Sequence, residues 1–79
     1  MAHMEELLEI LADLHPDVDF ETEEGLIDRG ILDSLDIVSV ISEVNEAFDV
    51  AITAKDITPE HFNSAQALYA LIQRLLDED

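Results

Sequence analysis

The chain has no cysteine and no tryptophan, only two glycines and two prolines, and three basic residues against twenty acids. Each shortage closes off a class of chemistry. Without cysteine there is no disulfide framework, no thiolate metal site and no cysteine nucleophile, so any thiol has to arrive on an attached group. Two glycines are too few for a glycine-rich loop that cradles phosphates. The three cations, Arg29, Lys55 and Arg74, are set in a net charge of −17. Such a surface repels nucleic acid and anionic membranes. No apolar run approaches the roughly 20 residues that span a bilayer. The first residues lack the basic region and long apolar stretch of a secretory signal. The expectation is a cytoplasmic protein without membrane insertion. Met1-Ala2-His3 reads as a remnant ahead of the first helix, leaving residues 4–77 as one domain.

What is present is apolar material and acid. Hydrophobic residues make up 48% of the 79 positions, too much for a disordered acidic chain and enough for one small core. The acidic surface suits partners with basic patches, in association that weakens as salt rises. A monomer is expected.

Apolar periodicity predicts helices separated by one long loop. Met4, Leu7, Leu8, Leu11 and Leu14 recur at three- and four-residue spacing, with Glu5, Glu6, Glu9 and Asp13 on the wet side. Pro16 ends this helix, because the residue before a proline is pushed out of the helical region. Residues 16–33 carry Val18, Phe20, Leu26, Ile27, Ile31 and Leu32, so this connection must pack against the domain. A second helix runs from Ser34 to Phe48, with Ile37, Val40, Ile41, Val44 and Phe48 as its core stripe. Leu35, Val38 and Ser42 lie on a different face, and apolar residues are not expected there. Pro59 opens a short helical turn over Pro59-Glu60-His61-Phe62. Asn63 and Gln66 resemble a capping pair, with Ser64 as the alternative cap. The last helix carries Ala65, Leu68, Tyr69, Leu71, Ile72, Leu75 and Leu76. Val50-Ala51-Ile52 is a candidate extended piece, too short to demand a sheet. The fold class is all-α: three long helices, one short one, and a long loop between the first two.

One serine stands out against this background. If Asp33 is the N-cap of the second helix, its carboxylate accepts the backbone N–H of Asp36. Ser34 is then the first helical residue, its hydroxyl not spent on capping, at a helix end that favours a phosphate-bearing group. The alternative is that Ser34 is only a second capping residue. Other candidate chemistry is weak. The acids Asp17, Asp19, Glu21 and Glu23 invite comparison with a calcium loop. Counted from Asp17, however, the sixth position is Thr22 where a glycine is needed, and the twelfth is Asp28 rather than glutamate. His3, His15 and His61 match no zinc spacing. No spacing argues for a serine–histidine–acid triad. Twenty acids make paired carboxylates unavoidable and therefore uninformative. No metal site and no enzymatic machinery are expected.

The segment Asp33-Ser34-Leu35-Asp36, with Gly30 upstream and a helix ending Glu46-Ala47-Phe48, resembles the acyl and peptidyl carrier protein family, from Met4 to Leu76. The resemblance implies an acyl-carrier-like four-helix bundle with no activity of its own. It implies a covalent 4'-phosphopantetheine arm, taken from coenzyme A by a phosphopantetheinyl transferase and attached at Ser34, whose thiol holds cargo as a thioester. By the same resemblance Asp33 helps present the helix start, and Asp36 is contacted by basic partner residues. Leu35 and Val38 are the apolar pair gripped beside the arm. Ser42 and Glu46 extend the partner-binding face. Activating ligases and acyl-transfer enzymes with basic patches are the implied partners.

Departures from that pattern bear on the cargo. Carriers of fatty-acid synthesis tend to line this helix with acids and a large apolar residue. Here Ser39, Ser42 and Asn45 stand among them, with Glu43 and Glu46 kept. Gly30-Ile31-Leu32-Asp33-Ser34 looks more like D-alanyl and free-standing peptidyl carriers, whereas Leu35-Asp36 is closer to fatty-acid and polyketide carriers. The expected function is a stand-alone acyl carrier for a fatty-acid, polyketide or specialised pathway. An aminoacyl carrier is the alternative, and an unmodified acidic interaction module the further one.

Overall fold

Pro16 and Asp33 divide the chain where the helical period breaks. In the computed structural model, which describes residues 4–78, helix α1 (Met4–Leu14) stops two residues before Pro16. Helix α2 (Ser34–Phe48) begins directly after Asp33, α3 (Pro59–Phe62) is a single turn, and α4 (Ala65–Asp77) closes the bundle. α1 packs on α2 and α4, and α3 packs on α4. No strand occurs among the described residues, so Val50-Ala51-Ile52 is plain connection. A 3-10 turn over Ala54–Asp56, which periodicity did not suggest, follows it. The reading of residues 1–3 lies outside the described residues.

The core is built from the expected stripes. Leu7 and Leu11 of α1, Val40, Val44 and Phe48 of α2, Phe62 of α3 and Leu68, Leu71 and Ile72 of α4 are buried. Each large apolar side chain so placed contributes about 1.5–3 kcal/mol. Ile37 and Ile41 pack partly buried at the edge of this cluster.

The long connection packs as its apolar content demands, with Phe20, Leu26 and Leu32 buried. Its last stretch, which delivers the chain to α2, is strapped to the α3–α4 junction through Asn63. The Asn63 carbonyl accepts the Leu26 N–H at 2.9 Å. Its side-chain oxygen accepts Ile27 N at 2.9 Å and Asp28 N at 3.0 Å, and its amide donates to Asp28 at 3.1 Å. Asn63 is therefore not half of a capping pair with Gln66. Ser64 caps α4 by accepting Ala67 N at 3.0 Å, and Gln66 donates to the Glu21 carbonyl at 2.8 Å. Long-range partners outcompete the local pairing for both amides. Gly30 turns the chain with φ +71°, in the left-handed region where a side chain is costly.

A second clip holds the far end. Asp56 is buried, and one of its oxygens accepts from Thr53 N at 3.3 Å and Thr53 Oγ1 at 3.2 Å. Its other oxygen accepts from Arg74 Nη2 at 3.3 Å. The Thr53 N–H, foremost, and the Arg74 charge hold the Asp56 carboxyl below its usual range against the opposing effect of burial.

Candidate functional site

Capping determines what Ser34 is free to do. Asp33 adopts extended backbone (φ −96°, ψ −176°), and its Oδ1 accepts the Asp36 N–H at 2.8 Å. Asp36 reciprocates, its Oδ2 accepting the Asp33 N–H at 3.2 Å. This closed capping box leaves Ser34 exposed at the first helical position. In that first turn the N–H groups of Ser34 and Leu35 have no acceptor within the helix, because their partners would lie four residues back, ahead of the helix start. An exposed hydroxyl flanked by unused N–H donors at the positive helix end suits a phosphodiester.

Sequence reasoning missed His15. Its Nε2 lies 2.8 Å from Asp36 Oδ2, with the imidazole 30% and the carboxylate 20% exposed. That hydrogen bond is the main reason the Asp36 carboxyl sits below its ordinary range, with the Asp33 N–H adding to it and partial burial opposing it. Twenty-one positions separate the two residues, so spacing carried no signal. The only clue was that Pro16 fixes the end of α1 just beyond His15. His61 lies on the short α3 and shows no such pairing with the α2 start.

Of the other predicted partner-facing residues, Leu35 and Val38 are 78% and 64% exposed. Ser42 and Glu46 are exposed on the same helix, as are Ser39 and Glu43. Asp36 differs, being half-buried and engaged by two donors of its own chain. Asn45 differs as well, because its side-chain oxygen accepts Ile52 N at 2.9 Å and secures the turn after α2. It is structural, not one of the positions that dilute the acidic face. A third exposed large apolar residue, Ile57, lies between the 3-10 turn and α3, where no helical period could flag it. Among the described residues no group of three metal-binding side chains converges, and no helix is long and apolar enough to cross a membrane.

Residues 2–75 match the family described as "Phosphopantetheine attachment site". The D-alanyl carrier proteins of Lactococcus lactis subsp. cremoris (strain MG1363) and subsp. lactis (strain IL1403) are each 33% identical over 54 residues, 68% of this chain and 68% of each relative. A chain in the crystal structure of an FAD-dependent dehydrogenase superposes with a TM-score of 0.65 at 36% identity, covering 85% of this chain and 92% of that one. Members of this family bear a covalently attached 4'-phosphopantetheine, and carrier proteins are generally not catalysts themselves. With an all-helical bundle and a family match spanning almost its whole length, this chain belongs to the phosphopantetheine-binding carrier protein family.

Proposed function

We propose that residues 4–77 form one carrier domain that acts as a monomer in the cytoplasm, that Ser34 receives the 4'-phosphopantetheine arm, and that the cargo is a small aminoacyl or acyl group. The observation that carries the reading is the exposed Ser34 at the first position of α2, relieved of capping by Asp33 and Asp36. In the modification the serine oxygen displaces adenosine 3',5'-bisphosphate from coenzyme A. A phosphodiester forms, and the serine proton passes to a base on the transferase. Once attached, the arm supplies the thiol this cysteine-free chain lacks, and holds cargo there as a thioester. The chain's own residues present the site. Asp33 and Asp36 lock the first turn, and Ser34 and Leu35 offer N–H groups to the phosphodiester. Leu35, Val38, Ser42 and Glu46 form the face that partner enzymes meet.

An aminoacyl cargo is favoured over a long fatty chain by the D-alanyl carrier relatives and by the serines on α2 at 39 and 42. The dehydrogenase structure favours a second partner class besides ligases, a flavin-dependent enzyme that acts on the tethered cargo. The test is incubation of the unmodified protein with coenzyme A and a broad-specificity phosphopantetheinyl transferase, read by intact mass. A gain of one arm on the wild type and none on Ser34→Ala is expected. No gain on the wild type leaves the unmodified interaction module as the better account, and an equal gain on Ser34→Ala moves the arm to another residue.

A further inference from the structure

We infer that His15 is a positioning residue for modification at Ser34, acting through Asp36; this rests on Ser34 being the attachment site. His15 is not part of α2. It follows α1, donating its backbone N–H to the Leu11 carbonyl at 3.1 Å, and Leu11 is wholly buried. Pro16 then restricts the backbone on its other side. The ring therefore hangs from a fixed point on the core and reaches across to the neighbouring helix.

The oxygen it grips is the one that closes the capping box. Asp36 Oδ2 accepts from His15 Nε2 at 2.8 Å and from Asp33 N at 3.2 Å. Ser34 and Leu35 lie between the two halves of that box, so the carboxylate rotamer and the orientation of the reactive turn are fixed together. An isolated capping box on an exposed helix end frays, because its acceptor side chain also samples other rotamers. A donor fixed to another helix removes that freedom. The imidazole also sets its positive hydrogen-bonding edge against one of the two acids flanking Ser34, where an incoming phosphate would otherwise meet carboxylates on both sides. Asp36 is thereby committed within the chain. A basic partner residue that seeks this oxygen must displace His15, whereas Glu43 and Glu46 are exposed for recruitment.

The test compares wild type, His15→Ala, His15→Gln and Ser34→Ala in the transferase assay with coenzyme A, taking initial rates by intact mass over a range of carrier concentrations. Glutamine keeps an N–H donor near the position of the imidazole Nε2, and alanine does not. The expected result is a fall in kcat/KM on the order of tenfold for His15→Ala, the scale of one orienting hydrogen bond, with His15→Gln recovering most of it. Amide exchange read by NMR should speed up at Asp33 and Asp36, whose N–H groups the capping box holds, in His15→Ala while the core of α4 stays protected. A wild-type rate for His15→Ala, a faster one, or equal slowing of both variants overturns the role of His15. If in that case wild type gains the arm and Ser34→Ala does not, the attachment site stands alone; if wild type gains none, both readings fall.

Discussion

Val38 and Val40 carry the same side chain two positions apart on one helix, yet Val38 is 64% exposed and Val40 is fully buried. Two residues turn an α-helix through about 200°, so the two valines point to opposite sides. Val40 sits with Val44 and Phe48 against the other helices. Val38 shares its side with Leu35, Ser42 and Ser39, none of which is buried. Hydrophobicity marks both residues, but only Val40 repays its transfer from water within the folded chain. Val38 leaves that gain to be collected when another surface covers it. One face of α2 thus stabilises the domain, and the other is available for recognition.

The largest effect should come from breaking the inner face. Val40→Ala should cost about 2 kcal/mol, lost transfer energy plus a residual cavity, and lower the melting temperature by roughly 8–16 °C. Val38→Ala should stay within about 0.5 kcal/mol of wild type. Thermal melts followed by circular dichroism decide it, and equal losses for the two valines would end the division between faces.

The outer face should respond in the opposite way. Leu35→Ala with Val38→Ala should leave the melt nearly unchanged and reduce transferase kcat/KM by on the order of tenfold, the worth of about 1.4 kcal/mol of apolar contact. Glu43→Gln with Glu46→Gln should flatten the salt dependence of that rate instead, since exposed charges act mostly on association. A double-alanine variant modified at the wild-type rate would strip the outer face of its part in recognition by the transferase.

The two faces were unequally legible in the sequence. Three- and four-residue spacing gave α1, α2 and α4, and Pro59 gave α3, because burial and helical period act together there. The exposed Leu35 and Val38 were visible for the same reason, as apolar residues out of phase with the stripe. What stayed hidden depends on long-range hydrogen bonds. Asn63 and Gln66 look like a local cap, and Asn45 looks like a surface residue, but each spends its amide on a distant or turn backbone. His15 finds Asp36 only because the loop folds α1 back beside α2. A polar side chain can choose among many partners, and one sequence shows only the nearby ones. Apolar stripes have a single requirement, which periodicity records.

The start of α2 belongs to neither face and should respond to substitution and to acid. Asp33→Ala removes the N-cap and should cost about 1 kcal/mol. Asp36 has its carboxyl lowered in the folded state, so its contribution is present above the ordinary carboxylate range and is lost as pH falls through the lowered value. Acid unfolding of Asp36→Asn should accordingly be shallower than that of wild type below the ordinary range. An unchanged acid limb would mean that the Asp36 pairing contributes nothing to folding.

The smallest effect lies at the other end of α2. Asp49 holds the C-cap in the left-handed region, φ 56° and ψ 48°, with its N–H donated to the Asn45 carbonyl. Two separable costs meet there. A side chain in this region is strained, which glycine relieves. A carboxylate also faces the negative helix end, and no basic residue occupies the last turn. Asp49→Asn removes the charge while keeping a residue that tolerates the conformation, and should stabilise by about 0.3 kcal/mol. Asp49→Gly removes both costs but adds freedom to the unfolded chain, for a net gain of about 0.5 kcal/mol. Because Asp49 touches neither face, its gain should add to the loss from Val40→Ala and leave the near-neutrality of Val38→Ala unaltered. If Val38→Ala becomes costly on the Asp49→Gly background, Val38 contributes to folding after all, and the two faces of α2 are not independent.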